Sequence, residues 1–212
     1  LVDRYVALTR FAAGKFADGG LPPERIVVKP NFVEADRSPG HGGGGYVVYA
    51  GRLSIEKGVM TLLEAWRQLR DVPLLVVGEG PLRGAMEREI AAHDLPVRLL
   101  GLQPRERVLQ IIAEADLEVV TSEWYEGFPL VIVEAYAMGT PVVCSRIGSL
   151  VEIVADGETG FMYEPGNAAA LASTVRQALG DPARLREFRR RARHRYDALF
   201  TPERNFRLLM DI

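Results

Sequence analysis

At 212 residues, 48% hydrophobic and 25% charged, the chain has an ordinary globular composition and room for one large domain and a fraction of another. Its 26 basic and 28 acidic residues leave a net charge of −2, so no global attraction to nucleic acid or membrane follows. One cysteine excludes a disulfide framework and a cysteine-rich zinc site.

Short apolar, β-branched runs alternate with longer segments of helical period. The predicted strands are Tyr5–Thr9, Arg25–Lys29, Tyr46–Ala50, Leu74–Val77, Val97–Leu100, Leu117–Thr121, Pro141–Ser145 and Gly160–Tyr163. They are continuously apolar, as strands buried on both faces are in parallel sheets. Between them, Met60, Leu63, Trp66 and Leu69 mark one helical stripe, and Val108, Ile111, Ile112 and Ala115 another. This alternation predicts a Rossmann-like, doubly wound α/β sheet with helices on both faces. The chain starts Leu1-Val2-Asp3, as though inside a longer pattern, and no signal peptide is visible. With no run of ~18 apolar residues, the expected setting is cytoplasmic.

The stretch Ser38-Pro39-Gly40-His41-Gly42-Gly43-Gly44-Gly45 reads as a flexible linker, 38–45. It divides a strand-helix-strand piece, 1–37, too small for an independent domain, from a main domain over 46–200. A last helix occupies 201–212.

Ligands of open parallel sheets bind beyond the carboxyl ends of the strands, so the loops there carry the functional signal. Gly51-Arg52-Leu53-Ser54-Ile55-Glu56-Lys57-Gly58 places Arg52 and Lys57 near a helix N-terminus, a plausible anion site, or else a solvated loop. Gly78-Glu79-Gly80-Pro81-Leu82-Arg83-Gly84 invites comparison with a dinucleotide fingerprint. Its third glycine comes one residue late and no acidic residue ends the next strand, so it reads as a tight turn of close backbone approach. The turn Leu100-Gly101-Leu102-Gln103-Pro104 has no charged catalytic group and could hold a nucleobase by its backbone, or be only a turn.

The most specific segment runs from Glu123 to Glu134. Pro129 suits a helix's first turn, and Gly127 allows close backbone approach. Glu126 precedes the helix and Glu134 lies inside it, ~12 Å apart at 1.5 Å per residue, with the positive helix end between them. Ribose, diphosphate and sugar follow in the same order in a nucleotide sugar. The bland reading makes both glutamates surface charges, but Val131, Ile132, Val133, Ala135, Tyr136 and Ala137 flank Glu134 with apolar groups, where an unpartnered carboxylate is costly.

These residues resemble the C-terminal half of the group 1 (family four) retaining glycosyltransferases, which have a two-domain B-type fold. The likeness begins at Asp3-Arg4-Tyr5-Val6-Ala7-Leu8-Thr9 and Val28-Lys29-Pro30-Asn31-Phe32-Val33. It continues through Gly51-Arg52-Leu53, Lys57-Gly58, Val77-Gly78-Glu79-Gly80-Pro81 and Glu126-Gly127-Phe128-Pro129 to Glu134. It closes with Ala137-Met138-Gly139-Thr140-Pro141-Val142-Val143, Glu152-Ile153-Val154, Asp156-Gly157 and Thr159-Gly160-Phe161. The resemblance implies that Arg52 and Lys57 neutralise the donor diphosphate, that Glu134 binds ribose hydroxyls and that Glu126 meets the donor sugar. Backbone N–H groups of Gly127, Phe128 and Leu130 would contact sugar or phosphate, and Leu102 would face the base. It implies transfer from a nucleoside diphosphate sugar with retention, with no cofactor and no metal, to an acceptor sugar, lipid or small molecule held by an N-terminal domain. Residues 1–37 would then be a remnant of that domain, and the helix at 201–212 would cross to it. A Rossmann oxidoreductase, a nucleotide-sugar epimerase and a non-catalytic binding module are the competing classes.

His41, His93 and His194 are too scattered for a metal site. Cys144 lies in an apolar run and reads as a buried thiol. From Arg184 to Arg195 seven arginines crowd one helix beside an apolar stripe. A docked helix with a solvated basic face is one reading, and peripheral contact with an anionic membrane the other. Nucleic acid is not expected, because no aromatic residues interleave.

Overall fold

The computed structural model describes residues 2–35 and 38–212. The predicted boundary at 37 falls outside them. All eight predicted strands form. A two-stranded parallel sheet pairs β1 (Tyr5–Ala7) with β2 (Ile26–Val28), joined by α1 (Arg10–Asp18). A six-stranded parallel sheet follows: β3 (Val47–Ala50), β4 (Leu74–Val77), β5 (Val97–Gly101), β6 (Leu117–Val120), β7 (Val142–Ser145) and β8 (Gly160–Tyr163). Its order is β5-β4-β3-β6-β7-β8. Strand order therefore reverses between β3 and β6, the doubly wound arrangement whose ligand crevice opens at that switch point.

Alternate side chains of each strand feed two core layers. Val47, Tyr49, Leu74, Val76, Leu117 and Val119 face α2 (Val59–Trp66), α3 (Arg83–His93) and α7 (Ala168–Leu179). Val48, Val77, Val120, Val142 and Cys144 face α4 (Arg105–Glu114), α5 (Leu130–Ala137) and α6 (Leu150–Ile153). The α2 stripe is buried at Leu63, Trp66 and Leu69, whereas Met60, in its first turn, is exposed. Cys144 is buried, and burial pushes its thiol far above the usual range. No helix among the described residues is long and apolar enough to cross a membrane.

The glycine stretch is laid on the main domain. Gly40 N–H donates to the Met138 carbonyl at 2.9 Å, Gly44 N–H to that of Glu114 at 3.0 Å, and Gly43 N–H to the Asp116 carboxylate at 2.7 Å. A Cβ at Gly40 would stand 2.1 Å from the Ala113 carbonyl oxygen. Glycine here permits close approach to the ends of α4 and α5, in place of the slack expected of a linker.

The arginine-rich segment forms α8 (Pro182–Leu199). Arg189 donates to the Ala113 and Ala115 carbonyls, Arg193 to Ala137, and Arg195 to Glu152 and Ile153, all at 2.8–2.9 Å. These are carbonyls left over at helix C-termini, where cations are favoured. Arg184 lies over the rings of Phe161 and Phe188. Arg190 and Arg191 pair with Glu187. The helix is docked, and four of its seven arginines serve packing.

The last helix, α9 (Pro202–Met210), reaches the segment after β2. Buried Asn205 accepts from Lys29 at 2.8 Å and donates to the Pro30 carbonyl at 2.5 Å. Phe206, Leu209 and Met210 remain exposed.

The turn after β4 does what its glycines suggest. Gly78 has φ +137°, and a Cβ there would meet the Gly51 carbonyl oxygen at 1.9 Å. Leu53 N–H donates to the Glu79 carbonyl at 2.9 Å. Gly78→Ala is expected to cost about 3 kcal/mol, since both conformation and contact are forbidden to a side chain. Denaturant unfolding measures it.

Candidate functional site

The loops leaving β3 and β6 meet at the switch point. Gly51 N–H is tied to the Val77 carbonyl, and the Tyr49 hydroxyl donates to the Arg52 carbonyl, both at 2.9 Å. The backbone of Arg52 is thus pinned while its side chain stays at the surface. A short 3-10 turn, Ile55–Lys57, follows, and Gly58 ends it at φ +64°. A Cβ at Gly58 would stand 2.0 Å from the Thr121 carbonyl oxygen. The Thr121 hydroxyl in turn donates to the Lys57 carbonyl at 2.7 Å. These contacts hold Lys57 against the end of β6.

There the Lys57 ammonium bonds to the Glu126 carboxylate. Ser122, just beyond β6, donates its hydroxyl to the same oxygen. The Ser149 hydroxyl, at the N-cap of α6, donates to the Glu126 carbonyl at 2.7 Å. Glu126 is thus fixed at side chain and backbone. Pro129 is the N-cap of α5, one position earlier than a first-turn proline. The N–H groups of Leu130 and Val131 open α5 without an intrahelical acceptor, while Ile132 N–H donates to the Pro129 carbonyl at 3.2 Å.

Glu134 faces α4 across the crevice, with its Oε1 3.8 Å from Arg105 Nε. Burial raises its pKa, and Arg105 opposes the rise. Two cavities of similar size open here. One of about 370 Å³ is lined by Lys57, Ser122, Glu126, Phe128, Pro129 and Leu130. The other, about 420 Å³, is lined by Gly78, Leu102, Gln103, Val108 and Glu134. Ala50, Gly51, Arg52 and Val131 line both. The crevice therefore runs from an exposed leucine turn, past Glu134, along Arg52 and the α5 N-terminus, to the Lys57–Glu126 pair.

Of the residues singled out in the sequence, Arg52, Lys57, Leu102, Glu126, Phe128, Leu130 and Glu134 all line this crevice. Gly127 lies in the same loop, exposed. Four further contributors lie outside those residues: Tyr49, Arg105, Ser122 and Ser149. Arg105 follows Pro104 directly, so reading the turn after β5 one residue further would have found it. Ser122 and Ser149 act by contacts remote in sequence and left no local signal.

One carboxyl is unexpected. Glu118 lies in the middle of β6, fully buried, paired in register with Val48 and Val142. Neither of its oxygens has a hydrogen-bond partner. Burial, and then the charge of Glu134, hold its pKa well above the carboxylate range.

The profile of the family described as glycosyl transferases group 1 matches residues 34–195. A glycogen synthase of Mycobacterium tuberculosis is 36% identical over 186 residues, which cover 82% of this chain and 45% of that protein. An alpha-D-kanosaminyltransferase of Streptomyces kanamyceticus is 30% identical over 87% of this chain and 47% of its own length. The chain thus spans about half the length of these curated relatives. Among solved structures, Anabaena HepE in complex with UDP superposes with a TM-score of 0.89 at 25% identity, covering 99% of this chain and 63% of that one. A sucrose-phosphate synthase from Thermosynechococcus elongatus gives 0.87 at 26% identity, covering 99% and 58%.

Proposed function

The chain belongs to the group 1 glycosyltransferases, and from that premise we propose that it binds a nucleoside diphosphate sugar and serves its transfer to an acceptor. The observation that carries this reading is the order of groups along the crevice: Glu134, then Arg52 and the α5 N-terminus, then Lys57 with Glu126. Ribose hydroxyls donate to the Glu134 carboxylate. The base lies toward Leu102 and Gln103. The diphosphate meets Arg52 and the free N–H groups of the α5 first turn, where anions are favoured. The sugar folds toward Glu126, beside the N–H groups of Gly127 and Phe128.

In the reaction, the bond between the anomeric carbon and the diphosphate oxygen breaks, and the departing diphosphate gains charge. Arg52, Lys57 and the helix N-terminus are aimed where that charge develops. Charge stabilisation of this kind needs no metal and no cofactor, and we assign retention at the anomeric carbon, as the family likeness suggests. The acceptor, a sugar, lipid or small molecule, is met by a second domain, for which the greater length of the relatives leaves room. We read residues 1–37 as part of that domain and the reaction as cytoplasmic. Lipid-surface contact through α8 is the weaker part of this reading, since only Arg186, Arg190 and Arg191 are left for it. The oxidoreductase alternative loses its motif, because Gly78 and Gly80 are filled by the backbones of Gly51 and Leu53.

Titration calorimetry of this chain with UDP-, GDP- and ADP-sugars tests the proposal. One of them is expected to bind with micromolar affinity, about −8 kcal/mol. Absence of binding by all three would reject it.

A further inference from the structure

We propose that Arg105 is a positioning residue for the donor's ribose: from the start of α4 it holds the Glu134 carboxylate by charge at the wall of the crevice and leaves its oxygens open to the ribose hydroxyls. The proposal rests on the donor-site reading above and adds to it a residue that acts through Glu134.

Arg105 stands where a helix does not favour it. It is the first residue of α4, directly after the N-cap Pro104, and the positive end of a helix disfavours a cation. Two contacts account for the position. Its guanidinium donates to the Glu34 carbonyl at 3.0 Å, which fixes the side chain against the segment after β2. Its Nε lies 3.8 Å from Glu134 Oε1. Glu134 needs a cation there. Its side chain is 21% exposed, against 56% for Arg105, and burial disfavours its charged form. Other charged groups surround it. Arg52 and Glu79 line the same cavity with opposite charges, Glu118 of β6 feels the Glu134 charge, and Arg193 of α8 reaches α5 at its last carbonyl, Ala137. Among the described residues, Arg105 alone forms an ion pair with Glu134.

The length of that contact matters as much as its sign. At 3.8 Å it is a charge contact and not a hydrogen bond, so it takes up none of the carboxylate's lone pairs. Glu126 differs, since one of its oxygens already receives Lys57 and Ser122. A ribose presents two neighbouring hydroxyls, and an ionised carboxylate can accept from both. The turn before α4 serves the same end of the ligand. Leu102 and Gln103 line the cavity with Glu134, and the Gln103 amide donates to the Leu100 carbonyl at 2.8 Å. One turn and the helix start that follows it thus supply both the wall for the base and the charge that readies the ribose acceptor.

Calorimetry tests this with whichever of UDP, GDP and ADP binds, and with its 2′,3′-dideoxy form. Arg105 favours the ionised form of Glu134, so without it protonation sets in at higher pH and removes an acceptor from the ribose. Arg105→Gln should therefore bind the nucleotide about five-fold more weakly than the parent at about pH 6, and within about two-fold of it at about pH 8. Comparing the two proteins at each pH cancels the ligand's own titration. Arg105→Lys keeps the charge and should restore the parent's affinity at both. The dideoxy form should bind Arg105→Gln and the parent alike. With Glu134→Gln already in place, Arg105→Gln should have no further effect at either pH. An equal loss at both pH values, a lysine that does not restore binding, or a matching loss for the dideoxy form would overturn the proposal. If the parent binds the ribo and dideoxy forms equally, the ribose is not at Glu134, and the proposal falls while the diphosphate site stands. If no nucleotide binds the parent, the donor-site reading itself fails first.

Discussion

Replacing both Arg52 and Lys57 by alanine is expected to weaken binding of a nucleoside diphosphate sugar about a thousand-fold. Each cation contributes charge-assisted hydrogen bonds to phosphate of roughly 1.5–3 kcal/mol, and two such losses approach ~4 kcal/mol. The single variants should differ in kind. Arg52 is exposed and belongs to both cavities, so Arg52→Ala removes a diphosphate contact and leaves Glu126 in place. Lys57 is the partner of Glu126, so Lys57→Ala also leaves that half-buried carboxylate with Ser122 alone, facing the diphosphate as a like charge. Lys57→Ala is therefore expected to be the more damaging. The two losses should not add, because both side chains act on one anion. Calorimetry with UDP and with uridine separates the cause. Uridine lacks the diphosphate and should bind the double variant as it binds the parent. Equal loss for both ligands would show a collapsed site and would overturn the assignment of these two cations.

The same pair shows what a sequence can convey and what it cannot. Arg52 and Lys57 are legible because both follow one strand, at a helix N-terminus, where the fold rule directs attention. The strands at the centre of the six-stranded sheet are legible because burial on both faces favours an apolar run, and β1 and β2, though partly exposed, carry the same β-branched pattern. Glu134 is legible because a carboxylate amid six apolar neighbours needs a reason. In each case one local stretch carries the whole signal. The unnoticed features depend on contacts between distant stretches. Ser149 reaches Glu126 across 23 residues, and Arg189 reaches Ala113 across 76. Seven arginines within twelve residues look like a charged surface from sequence, because the helix-terminal carbonyls that Arg189, Arg193 and Arg195 cap belong to other elements. The glycines at 40–44 look like slack for a similar reason. Glycine is chosen both for freedom and for close approach, and only the neighbour at 2.1 Å from a Cβ at Gly40 tells the two apart.

Glu118 was illegible in a different way, since Leu117-Glu118-Val119-Val120 shows its charge plainly and still forms a buried strand. Its replacement by leucine is expected to stabilise the protein. Both carboxyl oxygens are buried without a partner, a cost of about 1–3 kcal/mol that an apolar side chain of similar volume does not incur. For a chain of this length that gain is a rise in Tm of roughly 3–9 °C. The gain should depend on pH with a definite sign. The folded protein holds the Glu118 proton to higher pH than the unfolded chain does. Below the unfolded carboxyl's pKa both states are protonated and the residue adds no pH dependence. Above it the unfolded state sheds a proton that the folded state keeps, so stability falls by about 1.4 kcal/mol per pH unit until the folded pKa is reached. Glu118→Leu removes that slope. Its advantage over the parent should therefore be small near about pH 4 and large near about pH 8. Glu118→Gln should remove the slope without the gain, because an amide in the same place needs partners just as much. Thermal unfolding of the three proteins across this range tests the idea. A Glu118→Leu protein that is less stable than the parent at neutral pH would show that the carboxyl is satisfied after all. Unchanged UDP affinity in the same variant would place Glu118 outside the proposed ribose site at Glu134.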